Sequence, residues 1–139
     1  GTSNKTELLI GYGTIYGDMA SAINPIGDLY KTQLRQLAAH LSVPEDIITK
    51  PPTAGLWAGQ TDEAEIGFRY EELDLMLYNL IDLRMTPEKA AAQGFDKAAL
   101  ERVLSMIERS EFKRKMPQIA KLSFRTIGHD YLYAYDRGK

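Results

Sequence analysis

The 139-residue chain contains no cysteine, which excludes both a disulfide framework and a thiolate metal site. It has only two histidines, His40 and His129, too far apart in sequence to show any ligand spacing, so a zinc centre is not indicated. His40 reads as a partly exposed residue late in a helix. A basic surplus is also missing. The net charge of −2 argues against a dedicated nucleic-acid binder, which needs cations to neutralise phosphates. No apolar run reaches transmembrane length and no charged-then-apolar signal segment follows Gly1, so the expectation is a soluble, intracellular protein without membrane contact. No Gly-x-Ser-x-Gly, no Gly-x-x-x-x-Gly-Lys-Ser/Thr and no Gly-x-Gly-x-x-Gly occurs. What remains is ordinary globular material, 44% hydrophobic and 26% charged, of a length that fits one domain.

Along the chain, Leu8, Leu9 and Ile10 beside polar neighbours suggest a short helix over residues 4–10. Residues 11–27, rich in glycine, read as loop. Asp28 stands where an N-cap belongs, followed by Tyr30, Leu34, Leu37, Ala38 and Leu41 at helical spacing. Pro44 suits the first turn of another short helix. Residues 50–61, with Pro51, Pro52, Gly55 and Gly59, form a loop. Asp62, Glu63 and Glu65 fit an acidic first turn.

The second half is helical in pattern. Tyr70, Leu73, Met76, Leu77, Leu80 and Ile81 make one apolar stripe. Thr86-Pro87-Glu88 opens a short helix that Gly94 can end. Asp96 caps a further one with Leu100, Val103, Leu104 and Ile107 inward. The basic run Lys113-Arg114-Lys115 around Phe112 reads as a solvated helix face that ends at Met116-Pro117. From Pro117 to Tyr135 the weak alternation suggests an extended arm. There is no internal repeat and no βαβ series, so this segment is expected to be mostly α-helical with few short strands.

Chemistry-bearing residues concentrate near the start. Thr2 offers a hydroxyl, Glu7 a carboxylate suited to a hard cation, and the glycines at 11, 13 and 17 allow close backbone approach to a ligand. A Gly-Thr of this kind belongs at the exit of a strand that these residues do not include. Lys31 lies in the first turn of a helix, where the dipole disfavours a cation. It is either a solvated lysine or one reserved for a phosphate, and local evidence weighs these equally.

Read in order, several blocks together carry a resemblance: Gly1-Thr2-Ser3-Asn4-Lys5-Thr6-Glu7, Gly11-Tyr12, Tyr16-Gly17-Asp18, Ile23-Asn24-Pro25-Ile26-Gly27-Asp28-Leu29-Tyr30-Lys31, Lys50-Pro51-Pro52-Thr53-Ala54-Gly55-Leu56, Gly59-Gln60-Thr61-Asp62-Glu63 and Phe112-Lys113-Arg114. They resemble the C-terminal half of NAD synthetases, N-type ATP pyrophosphatases, over nearly the whole chain to about Lys121. The resemblance implies an α/β, doubly wound, adenine nucleotide alpha hydrolase-like fold, of which residues 1–139 would be the C-terminal part of a single domain. It implies ATP- and magnesium-dependent adenylation of the deamido-NAD carboxylate, then amidation by ammonia, with the ammonia-dependent type favoured over a glutamine-fed one. It also implies a cytoplasmic homodimer.

By position, Thr2, Lys31 and Thr53 match ATP-binding residues, Glu7 a magnesium ligand, and Phe112 and Lys113 a pair that meets deamido-NAD. The 50–61 loop would close over the nucleotide and exclude water from a hydrolysable adenylate. Two positions depart from the pattern: Ile15 and Ala22 stand where some members carry a lysine and an aspartate that contact deamido-NAD. The family's Ser-Gly-Gly-x-Asp-Ser phosphate-binding loop is not in these residues, so the chain alone is expected to be inactive. Two other readings are a non-catalytic helical interaction or dimerisation module built on the stripes around Leu73 and Leu100, and a related amidotransferase such as a GMP synthetase.

Overall fold

The computed structural model describes residues 1–115 and 117–133. Among them are seven α-helices: α1 (Lys5–Ile10), α2 (Lys31–His40), α3 (Glu45–Ile48), α4 (Asp62–Ile66), α5 (Tyr70–Leu77), α6 (Pro87–Ala91) and α7 (Lys97–Arg109). A π-turn, Tyr78–Asp82, extends α5, and a 3-10 turn, Glu111–Arg114, follows α7. Among the described residues the only β pairing is an isolated bridge between Ile127 and Tyr131, so the few short strands expected here are not formed.

Most helix starts follow from local capping. Asn4 caps α1: its side chain accepts the Glu7 N–H, and Glu7 Oε2 accepts the Asn4 N–H in return. Thr61, Thr86 and Asp96 cap α4, α6 and α7 through their side-chain oxygens. Gly11 ends α1 in the left-handed region, φ +73°, and a Cβ there would come within 2.1 Å of the Ser110 Cβ. Only glycine satisfies both the turn and that close approach.

Asp28 does not cap α2. Its side chain is fully exposed, 3.8 Å from Lys5 Nζ, and the helix begins after Tyr30. Gln33 Oε1 accepts the Tyr30 N–H at 2.9 Å, and the first two helical N–H groups are satisfied by distant residues. Thr6 Oγ1 accepts the Lys31 N–H at 3.0 Å, and Asp74 Oδ2 accepts the Thr32 N–H and hydroxyl, each at 2.8 Å. Thr6 in turn donates to Asp74 Oδ1 at 2.6 Å. Pro44 stands at the N-cap of α3, one residue earlier than expected.

The stripes on α5 and α7 pack together. Tyr70, Leu73, Met76, Leu77, Leu80, Leu100 and Val103 are buried in one cluster with Ile10, Ile66 and Ala90. They are thereby consumed by the chain's own core, which removes them as the docking surface of an interaction module. In contrast, α2 buries none of its residues fully, and Leu41 at its end is exposed.

The basic run forms a 3-10 turn on which Phe112, Arg114 and Lys115 are exposed, but Lys113 and Arg114 are tied to backbone carbonyls rather than free in solvent. Arg114 Nη1 donates to the Leu8 and Leu9 carbonyls at 3.1 and 2.7 Å, and Nη2 to the Ile107 carbonyl at 2.8 Å. It thus satisfies carbonyls at the C-terminal ends of α1 and α7, where cations are favoured. Met116, expected to end that helix, lies outside the described residues, as do Ala134 and Tyr135 of the proposed arm. Residues 117–133 run without helix or strand. A turn at Gly128 brings the His129, Asp130 and Tyr131 N–H groups to the Thr126 carbonyl.

Candidate functional site

The capping arrangement of α1 and α2 sets the geometry of Glu7 and Lys31. Glu7 occupies the third position of α1, where Oε2 is held by the Asn4 N–H and Oε1 is left to meet Lys31. Thr6 and Asp74 fix the first turn of α2, so the Lys31 side chain leaves that turn toward α1. Lys31 Nζ lies 3.0 Å from Glu7 Oε1 and 5.2 Å from the Tyr70 ring centroid. The ammonium is therefore bound to a carboxylate and an aromatic face, which is what offsets its placement at the unfavourable end of a helix dipole.

Four segments then meet. Thr2, Glu7, Lys31 and Thr53 line one open cleft of about 390 Å³, together with Ile47, residues 50–52 and Asp62. Glu7, Thr53 and Asp62 also line an adjoining cleft of about 500 Å³, whose remaining wall includes Tyr12, Gly13, Thr14, Gly17, Asp18, Leu56 and Glu65. The expected ATP and magnesium residues thus converge on one space although they are scattered over fifty positions. Ile15 and Ala22 line neither cleft.

Phe112 and Lys113 are not in that wall. Phe112 is exposed, and Lys113 Nζ donates to the carbonyls of Gly11 and Gly13 at 2.7 and 2.8 Å. Lys113 therefore reaches the second cleft through the turn it holds, since Gly13 lines that cleft.

Further residues of the site went unassigned in the sequence reading. Asp62, 5% exposed, accepts the Tyr12 hydroxyl at 3.0 Å and the Tyr70 hydroxyl at 3.2 Å. Glu65 accepts the same Tyr12 hydroxyl at 2.8 Å and the Gln60 amide at 2.7 Å. Burial, followed by the neighbouring Asp62 and Glu65, drives the Tyr12 hydroxyl far above the ordinary tyrosine value. Burial, followed by Asp62 and Glu7, does the same to Tyr70. Both phenols stay protonated and act as donors to the carboxylates. Tyr12 and Asp62 stood inside blocks of the family resemblance, but their contact spans fifty positions and no local pattern shows it.

Among the described residues, no group of three or more acidic or histidine side chains could hold a metal ion alone. Glu7 supplies one carboxylate that lines both clefts, with one oxygen paired to a lysine. That donor set fits magnesium bound in company with phosphate and water oxygens, the usual manner for this cation, rather than a caged site.

The NAD synthase family model matches residues 1–117. The NH(3)-dependent NAD(+) synthetase of Chlorobaculum tepidum is 59% identical over 136 residues, covering 98% of this chain and 49% of that protein. That of Trichlorobacter lovleyi is 55% identical over 139 residues, covering 100% of this chain and 51% of its own. The chain therefore spans about half the length of these relatives. Among solved structures, an NMN synthetase from Francisella tularensis matches with a TM-score of 0.69 at 39% identity, over 86% of this chain and 45% of that one. The NH3-dependent NAD synthetase of Campylobacter jejuni matches with a TM-score of 0.65 at 36% identity, over 87% and 44%. The shared backbone, the ordered motifs and the match over residues 1–117 place this chain in the NAD synthase family.

Proposed function

We propose that these residues form one wall of the nucleotide site of an ammonia-dependent NAD synthetase. The observation that carries this reading is the convergence of Thr2, Glu7, Lys31 and Thr53 on one cleft. In the reaction, the carboxylate of deamido-NAD attacks the α-phosphorus of ATP. The bond from that phosphorus to the bridging oxygen breaks, and pyrophosphate leaves. Ammonia then adds to the acyl carbon of the adenylate, AMP departs with the bonding pair, and a proton is lost as the amide forms.

Each residue has a role that its chemistry supports. The Lys31 ammonium, released from Glu7, stabilises charge that builds on the phosphate oxygens during adenyl transfer. The Thr2 and Thr53 hydroxyls, which line the same cleft, hydrogen-bond the nucleotide. Glu7 would hold the magnesium ion, which when bound would offset the charge of the phosphates. Lys113 orders the turn at Gly11 and Gly13 along the second cleft, which takes the deamido-NAD side, and the exposed Phe112 ring offers that substrate an apolar contact. Excluding water from these clefts protects the adenylate from hydrolysis in favour of ammonia.

Residues 1–139 are in this reading the C-terminal part of a single doubly wound α/β domain. The facing wall, with the phosphate-binding loop, comes from outside them, and the chain alone makes no NAD. A homodimer is supported by Leu75, Tyr78 and Leu83, large apolar residues exposed on α5, on its π-turn and directly after it. A cytoplasmic location belongs to the same proposal. No helix of the described residues is long and apolar enough to cross a membrane. A second substrate, the corresponding mononucleotide, is raised by the likeness to the Francisella NMN synthetase.

The test is a chimera in which this chain replaces the matching segment of the Chlorobaculum tepidum protein. With ATP, magnesium, deamido-NAD and ammonium it is expected to form NAD. A folded chimera with no NAD formation overturns the proposal.

A further inference from the structure

Gln60 is the one residue between Thr53 and Gln60 that turns inward. It is 7% exposed, whereas residues 53–59 are all exposed. A buried primary amide needs partners, and this one has them on both sides. Its Oε1 accepts the Leu56 N–H at 2.7 Å, and its Nε2 donates to Glu65 Oε1 at 2.7 Å. The other Glu65 oxygen accepts the Tyr12 hydroxyl at 2.8 Å. A continuous chain of hydrogen bonds thus runs from the loop backbone through Gln60 and α4 to the far wall of the second cleft.

Little else holds this loop. Gly55 and Gly59 have no atom within 4 Å of where a Cβ would sit. The remaining ties are the Asp62 N–H to the Pro52 carbonyl at 3.0 Å and a 3.4 Å contact from the Gln60 N–H to the Trp57 carbonyl. Thr53 sits between the Pro52 and Leu56 ties, its hydroxyl oxygen accepting the Gly55 N–H at 3.0 Å. Fixing backbone costs conformational entropy at every residue, so an unpacked loop keeps one shape only through such ties.

We propose that Gln60 is a positioning residue for Thr53: by clamping the Leu56 amide to Glu65 and Tyr12, it fixes the 50–61 loop so that the Thr53 hydroxyl faces the nucleotide. This rests on the reading of Thr53 as a nucleotide contact.

Gln60→Glu sets two carboxylates against each other, and the swap Gln60→Glu with Glu65→Gln restores a carboxylate–amide pair of reversed polarity. Two readouts on the chimera decide the matter: hydrogen exchange of the Leu56 amide without ligand, and affinity for ATP with magnesium by calorimetry. Gln60→Glu is expected to speed Leu56 exchange about tenfold or more and to weaken ATP about tenfold, with the swap recovering most of both. In a Thr53→Ala background the same change is expected to alter affinity less than about twofold, because coupled residues are not additive. Unchanged Leu56 exchange overturns the clamp, and so does a swap that recovers nothing. Faster exchange with unchanged ATP affinity, or a full effect without Thr53, overturns the positioning role. Absence of ATP binding by the unsubstituted chimera overturns the reading of Thr53 and the positioning role with it, while the exchange readout still decides the clamp.

Discussion

Lys31 Nζ lies 3.0 Å from Glu7 Oε1, and both side chains are largely withdrawn from solvent, at 20% and 14% exposure. Each group neutralises the other in the unliganded protein. A phosphate alone would take the lysine and leave the carboxylate unpaired; a metal ion alone would do the reverse. Only a ligand that brings both charges, such as a nucleotide with its magnesium, replaces the pair without leaving a part-buried charge uncompensated.

The placement of Lys31 depends on Asp74. Its carboxylate accepts from Thr6, from the Thr32 N–H and from the Thr32 hydroxyl in a buried setting. Asp74→Ala leaves those donors unmet and is expected to cost about 3 kcal/mol, with Asp74→Asn costing roughly half. Urea denaturation, read as a fall in midpoint at unchanged slope, checks both values.

Asp82 supplies a pH signature. Hydrogen bonds from Lys5 and then from Tyr30 hold its carboxyl below the usual range. A carboxyl lowered in the folded state contributes its full stability above the ordinary value of about 3.9, and the contribution is lost as pH falls through the lowered folded value. The wild-type advantage over Asp82→Asn is therefore expected to be about 1 kcal/mol at neutral pH. It should shrink progressively in melts below about pH 4.

The helices were legible because their signals are local. Asn4 with Glu7, Thr61, Thr86 and Asp96 each announce a cap within four residues of their partner, and Gly11 closes α1 where a left-handed residue is required. Asp28 misled for the opposite reason. The first two helical N–H groups of α2 are met by Thr6 and Asp74, 25 and 42 positions away. Lys113 and Arg114 looked solvated because the carbonyls they bind at Leu8, Leu9, Gly11 and Gly13 lie about a hundred positions away. Nor does any pattern around Tyr78 show the π-turn, which sets Asp82 beside Lys5. Within the site, Thr2, Glu7, Lys31 and Thr53 emerged from ordered family blocks rather than from spacing, and local chemistry left Lys31 evenly balanced. Tyr12, Gln60 and Glu65 stayed hidden because they gain meaning only from contact with one another.

Lys113 is expected to act on the second cleft through the turn it holds. In the chimera, Lys113→Met should raise KM for deamido-NAD several-fold while changing KM for ATP less than about twofold, a split that separates loss of the turn from general unfolding. Faster amide exchange at Gly13 in the chain itself should accompany it.

Substrate choice is open to direct measurement. Relatives that match over essentially the whole chain at 55–59% identity are named NAD(+) synthetases, whereas the structural match named an NMN synthetase stands at 39%. The chimera is expected to favour deamido-NAD over nicotinate mononucleotide by at least about tenfold in kcat/KM, a difference of roughly 1.4 kcal/mol.

The most direct measurement of the central claim is pyrophosphate release by the chimera in a single turnover with ATP, magnesium and deamido-NAD, without ammonium. Adenylation alone is then observed. Glu7→Gln and Lys31→Met are each predicted to slow release by about a hundredfold or more, roughly 2.7 kcal/mol of lost transition-state stabilisation. Release within twofold of the unsubstituted chimera for either variant would contradict the assignment of this pair to the ATP–magnesium wall.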